Sequence, residues 1–71
     1  MSIEAVNARN QFRGKVSEII TGPVVSEVVI DTPHGPVASV VTTRSVRELK
    51  LAVGSEVLAL VKATEVSIAR I

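Results

Sequence analysis

The tetrapeptide Ser45-Val46-Arg47-Glu48 is the stretch most informative about the fold, because it has the pattern of a helix start in a chain whose other segments have the composition of β-strands. A serine followed three residues later by a glutamate has the form of a helix capping box. In that motif the serine hydroxyl accepts a bond from a first-turn amide while the glutamate reaches back. Leu49 and Leu51 follow, and Gly54 supplies a stop. The pattern predicts one short helical turn.

On both sides of this turn, runs rich in β-branched residues are separated by Gly, Pro and Ser clusters, which are turn signals. The chain has fourteen valines, six isoleucines and five threonines, residues that pack well on a pleated surface. We predict strands over residues 13–21, 24–31, 37–43, 56–62 and 65–71. Five strands with a helix between the third and fourth is the order of the OB-fold. The sequence thus predicts an all-β, five-stranded OB-fold-like barrel with a short helical turn between strands 3 and 4, formed by residues 1–71 as one domain.

The size of the chain predicts self-association. A domain of 71 residues has little core in reserve, and without cysteine it cannot add disulfides or thiolate metal sites. The second predicted strand is apolar on both faces, with Val24, Val28 and Ile30 on one and Val25 and Val29 on the other. A sheet with one solvated face would alternate between apolar and polar residues. The remaining way to complete the core is assembly with copies of the same chain.

The residues needed for catalysis, nucleic-acid binding or membrane insertion are largely missing. His34 lies in a Pro-Gly turn without an evident partner, and the acidic residues are scattered, so no enzyme is predicted. A net charge of +1 and Phe12 as the single aromatic residue disfavour a nucleic-acid binder. No apolar run approaches the roughly 18 residues of a membrane span. Residues 1–7 lack the basic start and apolar core of a signal peptide, which leaves the cytoplasm as the expected location.

Small hydrogen-bond donors remain at strand ends and turns: Asn7, Arg9, Thr42, Ser45, Lys62 and Ala63. Hydroxyls, amides and an ammonium group can together bind a tetrahedral oxyanion, helped by a helix N-terminus such as the one expected at Ser45. Taken singly, each of these residues is more often an ordinary surface or capping residue. Spacing alone therefore leaves the anion site undecided.

Three separated segments resemble the molbindin (Mop) family in the same order along nearly the whole chain. The first is Asn7-Ala8-Arg9-Asn10-Gln11, followed by a Gly-x-Val motif at residues 14–16. The others are residues 41–46 with 54–57, and residues 61–66. The resemblance implies a small OB-like barrel that binds molybdate or tungstate and forms hexamers as a trimer of dimers. Because the chain begins at Met and ends where the module ends, we expect a free-standing member.

The resemblance also implies the site. By position, oxyanion contacts fall on Asn7, Ala8, Arg9, Thr42, Ser45, Lys62 and Ala63, with no direct protein ligand to the metal. The first three would come from one subunit and the others from its neighbour. The family's usual serine is replaced by Asn7, which can donate but is larger and also offers an acceptor. The resulting expectation is intracellular molybdenum storage or homeostasis; the alternatives are a regulatory module that senses the oxyanion and an OB-fold nucleic-acid binder.

Overall fold

The computed structural model describes residues 7–71. Residues 1–6, which include most of the segment used above to argue against a signal peptide, lie outside this range. The elements follow in the order β1 (Asn10–Thr21), β2 (Val25–Thr32), β3 (Gly35–Thr42), α1 (Thr43–Glu48), β4 (Glu56–Val61) and a 3-10 turn (Ala63–Glu65). No helix in residues 7–71 is long and apolar enough to cross a bilayer.

The four strands form one antiparallel sheet in the order β3-β2-β1-β4. β1 is the long central strand and pairs with both β2 and β4. Its first half, from Asn10 to Lys15, pairs with β4, and its second half, from Lys15 to Thr21, pairs with β2. The register with β2 shifts between Val16 and Glu18, which is a β-bulge. A bulge bends its strand and increases the local twist, and the sheet accordingly curls into a half-barrel.

The prediction of a fifth strand is wrong. Glu65 closes the 3-10 turn, and residues 66–71 pair with no strand in the part of the chain that the structure describes. Ile68 is 93% exposed, and Ile71 is fully exposed. Alternating β-branched residues indicate a local preference for extended backbone. To become a strand, the segment must also reach an open edge of the sheet through a turn that brings the chain back to it. Tight hairpin turns require Gly, Asn or Asp, whereas Ala63 and Thr64 follow β4 and form a 3-10 turn.

The short helix between the third and fourth strands is confirmed, but it is capped differently from the prediction. The N-cap is Thr42, whose hydroxyl accepts a bond from the Ser45 amide. Glu48 forms an ion pair with Arg44, four residues earlier, instead of reaching back to Ser45. The reason is that β3 continues to Thr42, which pairs with Val25, so the helix begins two residues earlier than Ser45.

The core lies on the concave face of the sheet. The inward row of β2 consists of Ser26, Val28, Ile30 and Thr32, all buried. Val28 and Ile30 pack with Val16 and Ala59 to form the buried cluster. A layer of partly buried side chains surrounds it: Phe12, Ile19, Val37, Val41, Val46, Leu51 and Val57.

Apolar residues also occupy the convex face, as the sequence predicts. Ile20, Val25 and Val40 are 52%, 52% and 70% exposed. Between the two edge strands, β3 and β4, an open apolar groove of about 280 Å³ remains, lined by residues that include Val41, Leu49 and Leu58. The half-barrel therefore leaves apolar surface uncovered on both faces.

Candidate functional site

The first group of predicted site residues gathers where β1 begins and β4 ends. Asn10 stands opposite Val61 in the register and donates from Nδ2 to the Val61 carbonyl over 3.2 Å. Residues 7–9 immediately precede Asn10, and Lys62 and Ala63 immediately follow Val61. These two predicted segments therefore lie side by side within one chain.

Within this group, the local structure determines which donors face solvent. Asn7, Arg9 and Lys62 are exposed, whereas Ala8 is buried and its carbonyl accepts a bond from Gln11 Nε2 at 2.9 Å. Ala63 begins the 3-10 turn, and amides in the first turn of a helix have no intrahelical acceptor. The group thus offers an ammonium, a guanidinium, a side-chain amide and backbone N–H groups, and it contains no carboxylate.

The second group, Thr42 and Ser45, lies at the junction of β3 and α1. The Ser45 amide donates to Thr42 Oγ1 over 3.0 Å, and the Thr42 hydroxyl donates to Ser45 Oγ over 2.8 Å. A threonine hydroxyl has one proton, so that of Thr42 is engaged by Ser45. Ser45 Oγ keeps its own proton, and the remainder of residues 7–71 provides no acceptor for it. In this pair, Ser45 is the free hydroxyl donor.

The two groups lie at opposite ends of β1. The first group adjoins Asn10, whereas Thr42 pairs with Val25, next to the Ser26–Thr21 pair at the other end of the strand. At about 3.3 Å per residue, a strand of this length separates its ends by on the order of 30 Å. The grouping implied by the resemblance, with Lys62 and Ala63 on the same side of a site as Thr42 and Ser45, does not exist within one chain.

Two buried hydroxyl residues next to the second group were not predicted from the sequence. Ser26 is 2% exposed and Thr43 is 7% exposed, and their side-chain oxygens are 2.7 Å apart. The burial of Ser26 could have been predicted from its position in the second strand, because it alternates with Val28 and Ile30 and so shares their face of the sheet. Residue Val24, which was assigned to that row, lies instead in the turn before β2 and is 72% exposed.

Direct binding of a metal ion by side chains is not supported in residues 7–71. No group of three or more His, Cys, Asp or Glu residues in this range is arranged to hold a metal ion. The predicted residues supply hydrogen-bond donors and positive charge, which suit an oxyanion whose oxygen atoms accept the hydrogen bonds.

Comparison with known proteins agrees with this donor chemistry. The model of the TOBE domain family matches residues 7–68. The molybdenum-pterin-binding protein 2 of Clostridium pasteurianum is 40% identical over 65 residues, which cover 90% of this chain and 96% of that protein. The chain therefore belongs to the TOBE domain family, and its resemblance to the molbindins is confirmed.

Two solved structures share the fold. A molybdate-binding protein from Sporomusa ovata superposes with a TM-score of 0.89 at 35% identity, covering 93% of this chain and 98% of that one. ModG, described as a cytoplasmic molybdate-binding protein and solved with molybdate bound, gives a TM-score of 0.77 at 49% identity. That match covers 82% of this chain and 42% of ModG. The fold of the chain is thus one that holds molybdate in another protein.

Proposed function

We propose that this protein binds molybdate or tungstate, catalyses no reaction, and serves molybdenum storage or homeostasis in the cytoplasm. The observation that carries the proposal is the match with a molybdate-bound relative, at 49% identity over 82% of the chain. The TOBE domain match, over residues 7–68, includes all of the candidate donors.

The chemistry of the donor groups favours this ligand. Molybdate is an unprotonated dianion at neutral pH, so it only accepts hydrogen bonds. The Ser45 hydroxyl, the Lys62 ammonium and the backbone amides around Ala8, Arg9 and Ala63 only need to donate to it. Monohydrogen phosphate would bring a proton that the ammonium and the backbone N–H groups cannot accept, and a polar group left unpaired costs about 1–3 kcal/mol.

The site is proposed to form between subunits. Thr42 and Ser45 lie at the opposite end of β1 from residues 7–9, so a single oxyanion contacts both groups only if two chains contribute. The pairing of Asn10 with Val61 supports a division in which Lys62 and Ala63 act together with residues 7–9 of their own chain. The neighbouring chain then supplies Ser45, oriented by Thr42.

Uncovered apolar surface supports the assembly that such a site requires. Ile20, Val25 and Val40 leave the convex face of the sheet apolar, and the groove between β3 and β4 is open. Residues 66–71 carry the exposed Val66, Ile68 and Ile71, and none of the four strands in residues 7–71 pairs with them. We propose a homo-oligomer, a hexamer, in which neighbouring chains cover these surfaces.

Titration calorimetry tests the proposed ligand. Molybdate and tungstate are titrated into the protein in a buffer free of other oxyanions, with phosphate and sulfate as comparison ligands. We expect saturable heats with molybdate and tungstate and far weaker binding of phosphate. Equal affinities for phosphate and molybdate would overturn the donor-only site. Elemental analysis of protein purified from molybdate-fed cells provides an independent measure of bound molybdenum.

A further inference from the structure

Ser26 and Thr43 are the two buried hydroxyl residues beneath the junction of β3 and α1. Thr43 is the first residue of α1, and Ser26 lies near the start of β2, opposite Val41 of β3. A buried hydroxyl without a hydrogen bond is costly, so the bonding of this pair in an otherwise apolar core needs a physical account.

The protons of the pair can be assigned from the bonds around it. Thr43 Oγ1 donates its single proton to the Gly22 carbonyl over 2.7 Å. The 2.7 Å contact between Ser26 Oγ and Thr43 Oγ1 must therefore carry the proton of Ser26. Ser26 Oγ in turn accepts the Gly22 amide at 3.4 Å. Three hydrogen bonds thus form a closed ring that engages both backbone groups of Gly22.

A fourth bond ties the same turn to the helix. The Thr43 amide donates to the Val24 carbonyl over 2.8 Å. The turn is also tightly packed, because a methyl group on Gly22 would overlap the carbonyl of Val25. The first residue of α1 is therefore held through both its amide and its hydroxyl, and its backbone cannot rotate without breaking buried bonds.

Thr42, which immediately precedes Thr43, is exposed, and its hydroxyl binds both the amide and the Oγ of Ser45. The orientation of the free Ser45 hydroxyl therefore depends on the position of the Thr42 hydroxyl. The position of Thr42 depends in turn on the backbone of Thr43, which the buried network holds in place. We infer that Ser26 and Thr43 are positioning residues for oxyanion binding, which hold the Thr42–Ser45 pair in the geometry that presents the Ser45 proton to the ligand. This inference rests on the proposed function.

The other end of the sheet offers a matched control. Thr32 is buried to the same extent as Thr43, 7% exposed, and also closes a turn. Its hydroxyl donates to the Gly35 carbonyl over 2.7 Å and accepts the His34 amide at 3.1 Å. Thr32→Val thus removes the same kind of buried bonds as Thr43→Val, but it does so away from α1.

The test compares Thr43→Val, Thr43→Ser and Thr32→Val by molybdate calorimetry below the unfolding temperature of each. At metal sites, loss of a group that orients a ligating residue typically costs about 10- to 100-fold in affinity, and we expect a loss of similar size for molybdate binding in Thr43→Val. Thr43→Ser, which keeps the hydroxyl, recovers most of the affinity. Thr32→Val lowers the thermal midpoint without changing molybdate affinity. Wild-type affinity in Thr43→Val, or an equal loss in Thr32→Val, would overturn the inference.

Two further measurements test the inference if Thr43→Val does not fold or if the wild type does not bind molybdate. If Thr43→Val does not fold, Ser26→Ala takes its place, since it leaves the Thr43–Gly22 bond intact, and it is held to the same expectation. If the wild type does not bind molybdate, the proposed function fails, and amide hydrogen exchange then decides the inference separately. Faster exchange at Ser45 and Leu49 in Thr43→Val, but not in Thr32→Val, supports a positioning role for the network; unchanged exchange refutes it.

Discussion

Thr42 and Ser45 exchange two hydrogen bonds across three residues, one from the Ser45 amide to Thr42 Oγ1 at 3.0 Å and one from the Thr42 hydroxyl to Ser45 Oγ at 2.8 Å. The pair divides two tasks. Thr42 ends the strand and caps the helix, while the Ser45 hydroxyl keeps a proton for a partner outside the pair. Substitution of Ser45 should therefore affect binding alone, whereas substitution of Thr42 should affect both binding and stability.

Ser45→Ala is expected to weaken molybdate binding with little effect on stability. A hydrogen bond to a charged group contributes about 1.5–3 kcal/mol, and the Ser45 amide that satisfies the cap remains in place. Thr42→Val should weaken molybdate binding too, because Thr42 orients the Ser45 hydroxyl, but it also removes the N-cap acceptor and should lower the free energy of unfolding by about 0.5–2 kcal/mol. Calorimetry with molybdate and thermal unfolding without it distinguish the two effects. Unchanged affinity in Ser45→Ala would exclude its hydroxyl from the site.

Lys62→Ala is expected to uncouple ligand binding from assembly. A ligand that binds only the assembled state stabilises it by about 2.7 kcal/mol at a hundredfold excess over the dissociation constant. Molybdate should therefore raise the thermal midpoint and slow subunit exchange in the wild type. Without the Lys62 ammonium both effects should be much smaller, while the ligand-free oligomer stays intact.

Native mass spectrometry of mixed, isotope-labelled oligomers measures this exchange with and without molybdate. Lys15→Ala serves as the control, because Lys15 is equally exposed but lies within β1, away from both groups. A wild type that binds molybdate without any change in exchange rate would place the site within one chain.

The oligomer itself is expected to be a hexamer at low micromolar concentration. Self-association is expected because apolar surface is uncovered at Ile20, Val25 and Val40 and along residues 66–71, and the number of six subunits is what the resemblance to the molbindins implies. Light scattering coupled to size exclusion gives the molar mass directly. A chain that remains a folded monomer at this concentration would show that these surfaces are stable in water.

Gly14→Ala is expected to destabilise the fold. A methyl group at this position would overlap the Asp31 carbonyl oxygen and approach Ile30 Cγ2 to 2.8 Å, where β1 and β2 come together. Because the nearest obstacle is backbone, relief requires a strand to move, and overpacking of this kind costs about 1–3 kcal/mol. Denaturant unfolding measures the loss. Arg13→Ala, at the exposed neighbouring position, should change stability by no more than about 0.5 kcal/mol, and equal losses in the two variants would contradict the steric account.

The local elements could be predicted from the sequence, and the features that depend on tertiary pairing could not. The Val and Ile runs between turn signals identify β1 to β4, because their period and composition are local properties. The choice between Thr42 and Ser45 as N-cap was undecidable locally, since both are good capping residues and the pairing of Thr42 with Val25 settles where the strand ends. The failed fifth strand has the same origin, because propensity does not reveal whether a partner edge exists.

For the candidate site, residue types indicated oxyanion chemistry, and the resemblance supplied the positions. Neither could indicate that Lys62 adjoins Asn10 rather than Ser45, which follows from the register of β1 with β4. The buried role of Ser26 was also hidden, since a serine between two valines and a glutamate has the pattern of a solvated strand position. Only its alternation with Val28 and Ile30 indicated that its side chain is buried.

β3 and β4 are the edge strands of the sheet within residues 7–71, and this has a consequence for how the protein is produced. Edge strands present backbone amides and carbonyls that can recruit a strand from any neighbour, and the β-forming residues 66–71 are exposed in the same single chain. Aggregation and productive association therefore compete for the same surfaces, and the charges of Lys62, before the last segment, and Arg70, within it, oppose aggregation locally. Refolding yield should depend on the rate at which correct partners meet, and a slow dilution that prolongs the single-chain state should lower it.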